Sequence, residues 1–268
     1  MRKNHLIFIV FLVLFPFVSQ AGTVLSDDGA KKVPTGLMSL PDYRYPVYLY
    51  VPEGYTAEKE YPLIVSIPDE GETPDKHMDY WINVAARRTA IILSATNLWP
   101  DDMPNRMDEW LLKIKKDVTD RYRINPSQMF LVGLKGGAHY AAYLAMAYPS
   151  EFTAAALLGE AWTGKFEQLM HPSSTPSQQI PFYVVFEKNA LPDTVEAAKR
   201  MAMKLENKGY LISLAQLEGS ESFSDMEFKL NMLNWLTEKS GEWEQRTAES
   251  NKSWKEKVRH WFWRNVNT

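Results

Sequence analysis

The stretch 125–138 reads NPSQMFLVGLKGGA, and it decides the fold. A short apolar run with Gly at its end predicts a buried strand, and the alanine-rich segment Gly136–Met146 predicts a helix directly after it. Gly133 and Gly137 occupy the two glycine positions of the pattern G-x-S-x-G, in which a serine sits on a sharp strand-to-helix turn. The central position here is Lys135.

Strands and helices alternate on both sides of this stretch. Short apolar runs bounded by Pro, Gly or charged residues predict strands at Tyr43–Val51, Pro62–Ile67, Thr89–Ser94, Met129–Gly133, Phe152–Leu158, Phe182–Phe186 and Leu211–Leu217. Helical spacing of apolar residues predicts helices at Pro74–Arg87, Asn105–Tyr122, Thr194–Lys208 and Met226–Lys239. This alternation indicates βαβ units, and therefore an α/β fold with a mostly parallel sheet covered by helices on both faces.

Between about Tyr43 and Lys239 the chain resembles the α/β-hydrolase superfamily. It is most similar to secreted feruloyl and acetyl-xylan esterases and to polyhydroxybutyrate depolymerase-like esterases. The resemblance rests on the glycines around Lys135, on the preceding segment DVTDRYRINP (117–126) and on the following segment AYPSEF (147–152). It implies the α/β-hydrolase fold, with about eight strands, and ester hydrolysis by Ser, Asp and His in that chain order.

The three triad positions that the resemblance implies carry other residues. The nucleophile position is Lys135, the acid position is Ala190, and the base position after the last strand is Ser222. No histidine occurs between His171 and His260. A serine cannot act as the base, and a protonated lysine cannot attack an ester.

The loop that supplies an oxyanion-hole N–H in the family also departs from the pattern. It reads Pro68-Asp69 in this chain. Proline has no N–H to donate, and the Asp69 carboxylate would oppose the negative charge of a developing oxyanion. Because nucleophile, acid, base and oxyanion loop are all substituted, we expect a non-catalytic pseudo-esterase that binds a ligand or a partner. The alternative is a divergent carboxylic-ester hydrolase that uses Lys135 and a shifted Asp193.

Three roles are open to Lys135. It could pair with Asp69, Glu187 or Glu221 and fill the former active centre with ion pairs. It could use its charged ammonium group to hold an anionic ligand, in a site with Asp69, Glu187 and His139, four residues further along the helix. It could also act as a catalytic lysine. The first role predicts that Asp69 or Glu187 lies within salt-bridge distance of Lys135.

Composition excludes several other classes of protein. The 268 residues are 45% hydrophobic and 24% charged, which is ordinary for a globular chain. There is no cysteine, so disulfides, thiolate metal sites and cysteine nucleophiles are excluded. The five histidines lack metal-binding spacing, and a net charge of −3 gives no basic excess for nucleic acid. We expect neither a metal nor another cofactor.

The N-terminal segment predicts export. Arg2 and Lys3 precede an apolar run, Leu6–Val18, and small residues at Ser19 and Ala21 follow. This order is typical of a cleavable signal peptide, with cleavage after Ala21 and a mature protein in the periplasm or outside the cell. Loss of the two basic residues would change the net charge from −3 to −5. A retained membrane anchor is the competing interpretation.

The C-terminal segment 241–268 differs in composition from the hydrolase-like domain, which we assign to residues 22–240. Lys252–Arg264 carries a net charge of +4, and Trp254, Val258, Trp261 and Phe262 recur at helical spacing, with Trp263 beside them. The pattern predicts a basic amphipathic helix. Peripheral contact with a membrane through Trp254, Trp261 and Trp263, docking to a protein partner, and packing back onto the domain are all compatible with it.

Overall fold

The computed structural model describes residues 33–97, 104–162, 165–168, 170–218 and 222–266. The chain divides into two units, Met1–Val33 and Pro34–Thr268, and the description below concerns the second. The predicted signal peptide and its cleavage site lie outside the described residues. Export therefore stays a prediction.

The apolar runs of the sequence form one eight-stranded sheet in the part of the chain that is described. The strands are β1 (Gly36–Ser39), β2 (Val47–Val51), β3 (Tyr61–Ile67), β4 (Ile91–Ala95), β5 (Ile124–Leu134), β6 (Ala154–Leu158), β7 (Phe182–Phe186) and β8 (Ile212–Gln216). Their order is β1-β2-β4-β3-β5-β6-β7-β8. β2 is antiparallel to β1 and β4, and every other neighbouring pair is parallel. The predicted α/β class with a mostly parallel sheet is confirmed.

Helices connect the strands and cover the sheet. They are α1 (Pro74–Arg88), α2 (Pro104–Arg121), α3 (Gly136–Ala147), α4 (Lys165–Gln168), α5 (Pro192–Glu206) and α6 (Met226–Val266), with a short 3-10 helix at Pro176–Gln178. α1 and α6 pack on one face, in a core that contains Ile64, Phe130, Val132 and Ala156. Strand residues alternate between faces, so the intervening Leu63, Val65 and Leu131 point to the opposite face, where we place α2 and α3.

A buried carboxylate joins α2 to α3. Asp108 is fully buried and accepts hydrogen bonds from the hydroxyls of Tyr140, Tyr143 and Tyr148 at 2.9–3.0 Å. Burial raises the pKa of Asp108, and the three tyrosine hydrogen bonds act in the opposite direction. This anchor fixes the helix that begins at the glycine-rich turn, and so it holds the turn itself in place.

Two features differ from the prediction. β1 was not expected, because Gly36–Ser39 is short and half-exposed and gives little apolar signal. The helix predicted at Met226–Lys239 does not end there but continues through Gly241 to Val266, over 41 residues. Gly in a helix costs only about 1 kcal/mol relative to Ala, which the flanking helical sequence outweighs. Among the described residues, no helix is long and apolar enough to cross a membrane.

Candidate functional site

The turn between β5 and α3 has the strained backbone of a nucleophile elbow. Lys135 stands at the N-terminus of α3 with φ 48° and ψ −118°, in a region that non-glycine residues rarely adopt. A Cβ on Gly133 would lie 2.4 Å from the carbonyl oxygen of Gly137, and one on Gly137 would lie 2.4 Å from the carbonyl oxygens of Ile67 and Pro68. Only glycine permits this close approach of strand, turn and helix. The predicted elbow is confirmed in its geometry.

The Lys135 side chain leaves the elbow toward solvent and is exposed. Its stem runs along the end of β6, because a Cβ added to Gly159 would lie 3.3 Å from Lys135 Cγ and 3.5 Å from Phe223 Cε2. The backbone N–H of Lys135 donates to the Leu158 carbonyl at 2.6 Å, which ties the turn to β6. An accessible ammonium group therefore stands where an esterase of this fold carries its serine.

The predicted ion pairs of Lys135 with Asp69 and Glu187 are wrong. Across the described residues, no carboxylate oxygen lies within 4.0 Å of its Nζ atom. Glu221, the third expected partner, lies outside the described residues. The hydrogen bonds that the structure gives Asp69 instead go to backbone N–H groups.

Asp69 turns its carboxylate to the backbone of the elbow. Its Oδ1 atom accepts hydrogen bonds from the N–H of Gly136 at 2.9 Å and from the N–H of Glu70 at 2.8 Å. In the hydrolase pattern, the N–H of the residue after the nucleophile is one oxyanion-hole donor. In this protein Gly136 holds that position, so its N–H is already hydrogen-bonded to the Asp69 carboxylate.

A buried hydrogen-bond chain, which the sequence analysis missed, begins next to Asp69. Glu72 Oε2 is 3.0 Å from His77 Nδ1, and His77 Nε2 is 2.6 Å from Ser66 Oγ. The Trp81 indole N–H donates to the same Ser66 oxygen at 2.6 Å. A carboxylate only accepts hydrogen bonds, so His77 donates from Nδ1 and accepts the Ser66 hydroxyl at Nε2. The order of groups, Ser-His-Glu, is that of a catalytic triad.

This Ser66–His77–Glu72 chain is closed to solvent at its serine end. Ser66 and His77 are each 1% exposed, whereas the Glu72 side chain is 30% exposed. The hydrogen bond from His77 lowers the pKa of Glu72, and the charge of Lys135 acts in the same direction. The only sequence signal for this hydrogen-bond chain is the four-residue spacing of His77 and Trp81 on the helix after β3.

The buried ring of His139 is held by two neighbouring side chains. It is buried on α3, its Nε2 is 2.7 Å from Glu160 Oε2, and its ring stacks on Phe166 with centroids 4.2 Å apart. Burial lowers the pKa of His139, and the Glu160 carboxylate partly opposes this. Its predicted part in ligand binding stays a prediction.

The remaining triad positions face the ends of β7 and β8. Glu187 is half-buried directly after β7, and its carbonyl accepts a hydrogen bond from the Gln216 side chain at 3.2 Å. Ala190 follows in a turn, and Asp193 lies exposed in the first turn of α5. Ser222 is exposed, and its N–H donates to Asp225 at 2.8 Å. Ser222 thus belongs to the turn before α6.

The described residues include no cluster of metal ligands. Within the described ranges, no group of three or more His, Asp or Glu side chains could hold a metal ion.

Several solved structures with a similar architecture are named as esterases or hydrolases. A ferulic acid esterase has a TM-score of 0.59 at 12% identity, over 76% of this chain and 97% of that chain. S-formylglutathione hydrolase FrmB from Staphylococcus aureus has a TM-score of 0.56 at 11% identity, over 75% of this chain and 98% of that chain. A thermostable esterase has a TM-score of 0.54 at 20% identity, over 75% of this chain but only 62% of its own length.

Strand order, elbow geometry and these neighbours together define a protein of the α/β-hydrolase fold. No protein-family model matches the sequence, and no curated protein matches it significantly. At such low identities, the likeness to esterases establishes the fold and leaves the activity to be argued from the site.

Proposed function

We propose that this chain is a non-catalytic α/β-hydrolase-fold protein that binds a ligand at its former active centre. The observation that carries the proposal is the hydrogen bond between Asp69 and the Gly136 N–H, beside a lysine at the nucleophile position. The Asp69 carboxylate, which the Gly136 N–H already binds, would have to leave before this N–H could stabilise an ester oxyanion. A protonated lysine cannot attack an ester, so Lys135 does not replace the serine as a nucleophile.

The ligand that fits this centre is a neutral ester whose carbonyl oxygen accepts a hydrogen bond from Lys135. The ammonium group is exposed, so a ligand can reach it. The carboxylates of Asp69 and Glu72 stand close by, and they would repel a free acid. Several of the fold's neighbours are named as esterases, which makes an aryl ester a reasonable probe.

A divergent ester hydrolase is the second candidate, and the Ser66–His77–Glu72 chain is the observation that favours it. This candidate would need the enclosed serine to become accessible and the Trp81 hydrogen bond to break. Both changes oppose the packing of α1 on the sheet, so we rank it below the binding function.

The test uses methyl ferulate with the full chain, the Lys135→Ala variant and the Ser66→Ala variant. We expect no release of ferulate above the uncatalysed rate, together with a rise in the unfolding temperature of the wild type on adding methyl ferulate. The rise should be smaller with ferulate, because of charge repulsion, and should disappear in Lys135→Ala.

The two candidates give different results. Turnover that is lost in Ser66→Ala, or labelling of Ser66 by a fluorophosphonate, would establish the hydrolase and overturn the pseudo-esterase. Turnover lost in Lys135→Ala would make the lysine catalytic. An equal rise in unfolding temperature for the wild type and Lys135→Ala would remove Lys135 from the binding site.

Export is part of the same proposal and rests on residues 1–21. A protein whose ligand is a cell-wall or extracellular ester would act in the periplasm or outside the cell. N-terminal sequencing of the protein from a secreting host should begin at Gly22, and an intact N-terminus in the membrane fraction would favour a retained anchor.

A further inference from the structure

The last part of α6 carries an apolar face that the domain does not cover. Every residue from Asn251 to Arg259 is exposed. The exposed fractions of Trp254, Val258 and Phe262 are 64%, 43% and 52%. The interpretation that this aromatic face packs back onto the domain is therefore wrong for these three residues.

The three side chains form one stripe along the helix. Residues four apart in an α-helix are separated by only about 40° around its axis, so positions 254, 258 and 262 share a face. Leu236 and Trp243 lie on the same side of α6 further back, where Leu236 is buried in the core and Trp243 donates to the Pro176 carbonyl at 3.0 Å. The stripe thus continues the face by which α6 packs on the domain, past the point where that packing ends.

Basic residues flank this stripe. By helical spacing, Lys255 lies on one side of it and Lys257 on the other, while Glu256 lies opposite. With Lys252, Arg259 and Arg264, they give Lys252–Arg264 a net charge of +4, in a chain whose total is −3. The positive charge is therefore concentrated around the uncovered apolar face, and the rest of the protein is acidic.

We propose that the end of α6 is a docking surface for an anionic lipid membrane, on which the helix lies in the plane of the interface. Its Trp, Val and Phe side chains would enter the headgroup region, and the flanking lysines would meet lipid phosphates. Tryptophan suits this boundary, since its ring is apolar and its N–H is polar. A second copy of the helix fits less well because it would bring +4 against +4. This proposal does not depend on the proposed ester-binding function.

The absence of cysteine from the chain allows a local test. Val258→Cys and Glu256→Cys, each in the full chain, are labelled with the polarity-sensitive dye NBD and mixed with vesicles. The vesicles contain phosphatidylcholine alone or an equimolar mixture with phosphatidylglycerol. Both variants keep the apolar N-terminal run, so any contact that this run makes with lipid is common to them.

We expect the dye at position 258 to brighten and shift to the blue on anionic vesicles only, with little change at position 256. Replacing Lys255 and Lys257 with Gln should weaken partitioning by about fivefold for each lysine, since a basic residue near an anionic surface contributes about 1 kcal/mol. That result would support a charge-assisted membrane surface.

Four results would overturn the proposal. An unchanged signal at position 258 on anionic vesicles would show that the stripe does not enter lipid. An equal response on neutral vesicles would remove the role of charge. Brightening with rising protein concentration and no lipid would identify a second copy as the occupant. Brightening with soluble polyglutamate but not with vesicles would point to an acidic protein.

Discussion

The Asp69 carboxylate accepts a hydrogen bond from the backbone N–H of Gly136, and the two atoms are 2.9 Å apart. Gly136 follows the elbow residue, where an active hydrolase keeps this N–H free for the oxyanion of its substrate. In this structure the Gly136 N–H is therefore already bound by a side chain of the same chain. The same Asp69 oxygen also accepts a hydrogen bond from the N–H of Glu70, at 2.8 Å.

Removing the Asp69 side chain should destabilise the protein. Asp69→Ala leaves the N–H groups of Gly136 and Glu70 without their acceptor, and we expect a loss of about 1–2 kcal/mol in the free energy of unfolding. Asp69→Asn keeps an acceptor oxygen and should lose less than half as much. Urea unfolding compares the three proteins. Equal losses in both variants would mean that the negative charge, and not the acceptor, is what matters.

A Gly-to-Ala substitution should have opposite effects at Gly137 in the elbow and at Gly241 in α6. Gly137→Ala places a Cβ 2.4 Å from two backbone oxygens, so we expect a loss of more than about 3 kcal/mol, or no folding. At Gly241, within α6, a Cβ would meet nothing within 4 Å, and Gly241→Ala should stabilise the protein by up to about 1 kcal/mol. Thermal unfolding measures both. A tolerated Gly137→Ala would contradict the close approach of α3 to β3.

Strain at the elbow predicts a reversed preference between Gly and Ala. Lys135 has φ 48°, so Lys135→Gly should relieve strain that Lys135→Ala retains, and the Gly variant should be more stable by about 0.5–2 kcal/mol. The control is Lys204, which is exposed on α5. There the Gly variant should be less stable than the Ala variant by about 1 kcal/mol. The same order at both positions, in urea unfolding, would argue against the strain.

The lowered pKa of Glu72 predicts that the stability of the protein depends on pH. Its pKa is lowered in the folded protein by the hydrogen bond from His77, so the unfolded chain binds a proton more readily. The stability that Glu72 contributes is then complete above its ordinary pKa of about 4.3 and is lost as the pH falls below that value. The difference in urea midpoint between the wild type and Glu72→Gln should shrink from pH 6 to pH 3. A difference that stays constant over this range would contradict the lowered pKa.

The strands and the elbow could be predicted because their signals are local. The apolar run Phe182–Phe186 matches β7 residue for residue, and the other predicted strands overlap the observed ones with shifted ends. Two glycines spaced around Lys135 suffice to indicate a tight turn. The short strand β1 was not predicted, because its half-exposed residues alternate over only four positions. The end of the last helix was misjudged because one glycine at position 241 is a weak helix stop.

The Ser66–His77–Glu72 chain could not be predicted in the same way. Ser66 is the penultimate residue of β3, Glu72 lies in a loop, and His77 lies on α1. Their contacts therefore depend on how α1 packs on the sheet. Likewise, Asp69 was expected near the oxyanion position and near Lys135. The structure puts its carboxylate on backbone N–H groups and leaves the ammonium group exposed.

The sequence by itself determined the alternation of strands and helices, the glycine-dependent elbow with Lys135 at its centre, and the basic aromatic pattern of the last helix. These depend on residue type and short-range spacing, which can be read along the chain. Only the tertiary structure decided which acceptor Asp69 takes, that Ser66 is enclosed, and that the stripe at Trp254, Val258 and Phe262 stays uncovered. Hydrogen-bond partners and burial depend on groups that are distant in sequence and meet only when the sheet and its helices pack together.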